Sequence, residues 1–288
     1  MPARSPSVDL DRLRRVHRGF TGALGGFALE FAGGTFVTHE RLPAAAFNYV
    51  DDVRVAPDRQ SAFFERALDH YFQRALRPTF RVGPGVPAHV DRSLRSLGFR
   101  LLPDPMVFLS ATRNGAEVPA APNVEVRESA EFEAGEAGAL WTLERGREEF
   151  QRALDVAIHH PNPGERLVPL VARRGGRPVA AALAFTLGDV TEVHAIATYL
   201  GDRGQGIATA LVARALRGPA SAGSQVVSVL STTPRLIDRL APLGFREAGR
   251  FSEYDLPADA TLAIPPPGPP SPPRWRPPRP PRTSGPSP

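Results

Sequence analysis

The sequence has no cysteine and no lysine. Lack of cysteine excludes disulfides, thiolate nucleophiles and sulfur-ligated zinc, so any chemistry must come from oxygen, nitrogen or backbone groups. Lack of lysine excludes a Gly-Lys-Ser or Gly-Lys-Thr phosphate loop. It also makes all 35 basic residues arginine, whose guanidinium groups do not deprotonate. No apolar run approaches the about 18 residues of a bilayer span, and residues 1–10 lack the roughly 7 to 15 apolar residues of an export signal. These absences lead to the expectation of a cytoplasmic protein with no membrane partner. The formal charge is only +5, and Arg274, Arg276, Arg279 and Arg282 sit in a terminal stretch with no acidic residue. The remainder is close to neutral, which argues against a nucleic-acid partner.

What is present suffices for a core. The 288 residues, 42% of them apolar, fit about two domains of roughly 100 to 200 residues each. Turn-rich sequence around 112–123 separates residues 1–115 from 123–260, and from 264 to 288 the chain is nearly all proline, arginine, serine and glycine. That composition buries too little apolar area to offset chain entropy, so a disordered tail is expected. Residues 123–260 read as strand 124–127, helical stretches through Leu140 and 150–158, and strands 167–173, 178–187 and 190–198. A helix at 206–216, strand 225–231, helix 234–243 and strand 245–254 follow. The fold class is therefore α/β (α+β), mixed sheets flanked by helices.

The halves also resemble each other. Asp58-Arg59 precedes a helical stretch as Asp202-Arg203 does, and Pro87-Ala88-His89-Val90-Asp91-Arg92 mirrors Pro234-Arg235-Leu236-Ile237-Asp238-Arg239. Leu97-Gly98-Phe99-Arg100 then mirrors Leu243-Gly244-Phe245-Arg246. Three matches in one order at a nearly constant offset indicate an internal duplication.

The strand 190–198 runs through a short loop into an amphipathic helix, and Gly204 and Gly206 stand in that loop. Such a corner aims unpaired backbone N–H groups at an anion, and glycines let phosphate oxygens approach the main chain. A dinucleotide fold is excluded by Thr209 at the third glycine position and by the lack of an acid in 225–232. Arg203-Gly204-Gln205-Gly206-Ile207-Ala208, followed after one strand and one helix by Leu243-Gly244-Phe245, resembles the GNAT acyltransferase superfamily. More loosely, the chain is similar to tandem GNAT proteins with a degenerate first copy. Where the second copy has Gly204, Gln205 and Gly206, the first has Gln60, Ser61 and Ala62.

The resemblance implies an acyl-coenzyme A, with acetyl-CoA as co-substrate, held at Arg203, Gly204, Gln205, Gly206, Ile207 and Ala208. The backbone of Ala197, Thr198 and Tyr199 would meet the carbonyl and pantetheine arm. It implies direct transfer to an amine acceptor, a small molecule or a peptide, and one cofactor site per chain. On the preceding strand Glu192, His194, Ile196 and Thr198 share one face by alternation, which makes Glu192 or His194 candidate bases. The family's usual acid is a tyrosine, and here that position is Leu240. This leaves Tyr254, Ser231 or Thr232 as donors, or departure of the thiolate without an acid. No metal is expected, since His159-His160 has no accompanying ligand pattern. Two rivals stand beside the enzyme: a non-catalytic CoA-binding sensor or docking module, and an interaction protein acting through its Pro-rich tail.

Overall fold

The structure, a computed structural model, describes residues 9–83, 87–113, 123–129, 147–218 and 222–257. The helical stretch expected through Leu140 and the segment from residue 264 lie outside these residues.

In the first half, α1 (Leu10–Ala23) is capped by Asp9, whose carboxylate accepts from the Asp11 backbone N–H at 3.0 Å. Leu13, Val16, Phe20 and Leu24 follow at helical spacing and form one buried stripe. Burying each such side chain contributes about 1.5 to 3 kcal/mol, so the stripe fixes the helix on the sheet. Next come β1 (Phe27–Phe31), β2 (Gly34–Thr38), β3 (Tyr49–Asp51), α2 (Gln60–Phe72), β4 (Thr79–Val82), α3 (Ala88–Ser96), β5 (Arg100–Leu101) and β6 (Met106–Thr112).

The second half contains β7 (Glu125–Glu128), α4 (Arg147–His159), β8 (Glu165–Arg174), β9 (Arg177–Leu187), β10 (Val190–Thr198), α5 (Ile207–Arg217), β11 (Val226–Ser231), α6 (Pro234–Leu240) and β12 (Arg246–Asp255). The expected elements 150–254 recur with small shifts, except that the helix from Pro234 tightens into a 3₁₀ turn at Ala241–Leu243. Gly175 and Gly176 both take positive φ, 55° and 82°, which lets the β8–β9 turn follow the strand twist.

The described strands join in one sheet ordered β1-β2-β3-β4-β12-β6-β11-β10-β9-β8-β7, with β5 also on β12. Two mixed sheets were expected, and β12 is the reason they are continuous. Its residues 246–251 pair with β6, while 252–255 pair with β4 and β5. The halves also exchange strands, since β6 from before the 114–122 break lies between β11 and β12. Each half keeps one parallel pair, β3 with β4 and β10 with β11, and each pair is followed by a helix. The duplication read from sequence thus has a matching topology.

Helices α5 and α6 pack on one apolar cluster, and α2 and α3 on another along the same sheet face. The opposite face is covered by α1 and α4 around Phe20, Phe108, Phe150, Leu154 and Phe185. Among the described residues no helix is long and apolar enough to cross a membrane.

Candidate functional site

Parallel pairing of β10 with β11 runs only from Val190↔Val226 to Val193↔Val229. Past that point β10 stays with β9 alone, through a register shift between His194 and Ala197, and Ala195 in the bulge has φ 51°. A left-handed non-glycine residue is costly, and bulges of this kind recur beside active sites. The extra residue also reverses the side-chain alternation. Val193 and Ile196 pack on the α5 side, whereas Ala197 packs on the α1 side. The expectation that Glu192, His194, Ile196 and Thr198 share a face therefore fails at Ile196 and Thr198, which lie on the α5 side, because simple alternation takes no account of a bulge.

Beyond β10 a 3₁₀ turn, Leu200–Asp202, leads into the loop and then α5. Gly204 and Gly206 both have φ 80°, and Gly206 is the N-cap of α5 with no side-chain cap. A Cβ built on either would point into open space, so the loop presents bare main chain to the outside. Unpaired N–H groups at the start of α5 and its positive dipole end face the same direction. The buried Asp202 carboxylate fixes the loop from below by accepting from Arg174 Nη1 at 2.6 Å and Arg177 Nη2 at 3.2 Å. Arg174 Nη2 also donates to Gln205 Oε1 at 2.7 Å, and Arg203 Nε donates to the Thr198 carbonyl at 3.2 Å.

A cavity of about 690 Å³ opens here, lined by Ala195 to Thr198, the glycine loop, the first turn of α5, and Thr233, Arg235, Leu236 and Arg239 from the α6 side. Arg203, Arg235 and Arg239 place three guanidinium groups on it, and Arg239 Nη1 reaches the Gly204 carbonyl at 3.3 Å. Arg235 and Arg239 escaped the sequence reading, although their spacing of four on a helix offered a signal. Open glycines, free helix N–H groups and guanidinium groups suit a pyrophosphate with further phosphate charge, so the donor set fits coenzyme A.

On the other sheet face lies a buried polar cluster. Glu192 is fully buried and His194 nearly so. His17 of α1 meets Glu192 Oε1 through Nδ1 at 2.9 Å, and Arg81 of β4 donates from Nη1 to His17 Nε2 at 2.9 Å. An arginine can only donate, so His17 Nε2 is the acceptor and its proton sits on Nδ1, directed at Glu192. Arg81 also pairs with Glu253 at 3.3 Å and covers the Tyr49 ring at 3.5 Å. Glu192 Oε2 and His194 Nε2 stand 3.6 Å apart, each buried without a hydrogen-bond partner, as are Ser228 Oγ and Tyr49 Oη. Phe20 stacks on His194 with ring centres 3.8 Å apart. Burial pushes the Glu192 carboxyl up to about 7 against the pull of His194 and Arg81. Burial also holds His194 down at about 4, and burial with Arg81 holds His17 at about 3. His17, Glu192 and His194 have ligand atoms within 4.8 Å of one another, a spacing that would admit a metal ion. The Arg81 guanidinium and the Nδ1 proton oppose one, because a cation needs the lone pair that the proton occupies.

The structure brings Glu192 and His194 together and keeps Tyr254 apart from them. Tyr254 follows Glu253 on β12 and so points to the α2–α3 face, where burial and Asp91, which its hydroxyl meets, raise it to about 12. Ser231 Oγ accepts from the Thr233 backbone N–H at 3.0 Å, and Leu240 is buried in the α5 core. The sequence reading passed over His17 and Arg81. The stripe Leu13, Val16, Phe20, Leu24 marks α1 as amphipathic, but nothing local says that it docks on β10, which lies far along the chain.

A mixed α/β domain with a bulged strand, a glycine loop and an open helix N-terminus forms a cradle suited to a phosphate-bearing ligand. Residues 129–236 match the model of the acetyltransferase (GNAT) family. No curated protein matches the chain. The fold is similar to a GCN5-related N-acetyltransferase from Kribbella flavida, with TM-score 0.61 at 16% identity over 85% of this chain and 95% of that one. It is also similar to one from Sphaerobacter thermophilus, with TM-score 0.54 at 15% identity over 77% and 76%. A tandem GNAT protein from the clavulanic acid biosynthesis pathway aligns with TM-score 0.52 at 16% identity over 77% and 78%. That last likeness agrees with the duplicated architecture.

Proposed function

We propose that this chain is an acyl-CoA-dependent N-acyltransferase, with acetyl-CoA as donor and a small-molecule or peptide amine as acceptor, acting by direct transfer in the cytoplasm. The observation that carries the reading is the opposition across β10 of an open glycine-and-arginine cradle on one face and, on the other, the buried Glu192–His194 pair, whose Oε2 and Nε2 lack hydrogen-bond partners. Bound acyl-CoA supplies a thioester carbonyl for attack by the amine. Arg203, Gly204, Gln205, Gly206, Ile207 and Ala208 hold its phosphates, and the opening past Val193 lies between the two faces. Glu192, raised to about 7, is suited to take a proton near neutral pH, as a general base should be. His194, lowered to about 4, stays neutral beside it.

In this reading the divisions 1–115 and 123–260 are two copies that exchange strands. Only the second keeps a cofactor site.

Thermal unfolding with and without acetyl-CoA, in wild type and Gly206→Trp, tests the cofactor site. Ligand at about 100 times its dissociation constant adds about 2.7 kcal/mol, several degrees at this domain size. Stabilisation lost in the variant supports the loop, and no stabilisation in wild type at millimolar ligand sinks the reading. Leu240, buried where the family's tyrosine hydroxyl would stand, favours a second reading as a CoA-binding sensor. Thiol release on adding amines decides between them.

A further inference from the structure

The polar cluster is built from both halves. α1 crosses the sheet at the seam, with Arg14 and Arg18 each 3.8 Å from Asp51 in the first half and His17 on Glu192 in the second. Arg81, from β4 of the first half, is only 5% exposed. Ser228, level with Glu192 on the next strand, and Tyr49, whose ring centre is 5.8 Å from that of His17, complete the cluster. Four polar atoms buried there without partners are expensive unless a polar guest satisfies them.

We propose that the copy without a cofactor loop supplies positioning residues to the transfer site. Arg81 fixes the His17 tautomer, and His17 holds Glu192 Oε1, so that Oε2 is left turned to His194 and the acceptor amine. The proposal rests on the acyltransferase reading. A proton taken up by the Glu192 carboxylate arrives on Oε2, because the Nδ1 proton of His17 already occupies Oε1. A hydrogen bond to the carboxylate favours its charged form, so loss of His17 must raise the Glu192 pKa further. Arg81, Glu253, Asp51, Arg14, Arg18, His194 and Tyr49 are the other charged or titratable groups facing the cluster.

The test starts on the apoprotein. Nitrogen-15 NMR should find the His17 ring neutral with its proton on Nδ1, and a proton on Nε2, or stoichiometric zinc in the purified protein, would overturn the proposal. The glutamate carboxyl signal assigned through Glu192→Gln should titrate about one unit higher in His17→Phe. It should return towards wild type in His17→Asn, whose amide N–H can take the Nδ1 place. In turnover, the acid limb of the kcat/KM profile should move by the same amount and kcat should fall about tenfold, while KM for acetyl-CoA stays within twofold. An unmoved carboxyl titration in His17→Phe, or in His17→Ala where the first variant does not fold, would refute the coupling. A moved titration in a protein that transfers nothing to any amine would instead sink the transfer role.

Discussion

In the first half the corner from β3 to α2 passes Val53 and Val55 and ends at Gln60, whose side-chain amide donates to Ser93 Oγ and, at 3.4 Å, to the His89 carbonyl on α3. His89 Nε2 returns a contact to the Val55 carbonyl at 3.2 Å. In the second half the corresponding corner from β10 to α5 carries Gly204 and Gly206, and the space towards α6 stays open. Both halves retain a parallel strand pair and its helices. The difference lies in a few side chains at one turn. A fold held by apolar layers tolerates either kind of corner, because the side chains at this one turn add little to the core.

The first way to break this comparison is at the chemistry. Glu192→Gln keeps the buried shape and removes the proposed base, so kcat should fall by roughly 10² to 10⁴ while stabilisation by acetyl-CoA persists. Turnover within tenfold of wild type would show that the base lies elsewhere. Gly206→Trp should do the opposite. It forces a side chain into a backbone with φ 80° and into the phosphate space, so acetyl-CoA stabilisation disappears and the core, measured without ligand, weakens by only a few kcal/mol.

The second half was legible because its signals are local. Two glycines, a following amphipathic helix and Leu243-Gly244-Phe245 lie within about one supersecondary unit, and hairpin glycines mark the strands before them. Exchange of β6 and β12 was not legible, since pairing of Ser110 with Ser228 and Arg246 depends on contacts distant in sequence. His17 and Arg81 were hidden for the same reason. The bulge at Ala195 was hidden for another: alanine gives no sign of positive φ, and its conformation is imposed by the parting of β10 from β11. Tyr254 shows the cost of reading hydroxyls by sequence neighbourhood, for the residue next to a member of the cluster points to the opposite face. Tyr254→Phe should leave kcat within about twofold and cost about 1 kcal/mol of stability through the lost Asp91 bond.

The buried cluster makes the seam between the halves pH-sensitive. His17 and His194 sit below their unfolded value, at about 3 and about 4, so their neutral forms stabilise the fold above the ordinary histidine pKa and that stability is lost as pH falls below it. His39 and His70, also lowered by burial, act in the same direction. Glu192, raised to about 7, opposes them, because its stability is present below the ordinary carboxylate pKa and lost as pH rises through 7. Histidines outnumber it, so stability should fall by on the order of 1 kcal/mol per pH unit between about pH 6.5 and 4.5. Denaturant unfolding followed across that range should show a shallower slope in His194→Asn, and an unchanged slope would mean that His194 is not held neutral.

The smallest effect probes the silent corner itself. If the first half lost its cradle through Gln60 alone, Gln60→Gly should open a second phosphate site. The packing argues otherwise, since His89 closes the turn onto Val55 and Asp52, not a glycine, takes the positive φ of 55° after β3. The expected result is a stability loss of about 1 kcal/mol from the broken Ser93 bond and from glycine at the start of α2. Titration calorimetry should still find one acetyl-CoA per chain. Two per chain would mean that one side chain separates the copies, and that the second half's distinction lies in what it lacks at the loop rather than in the arginines of α6.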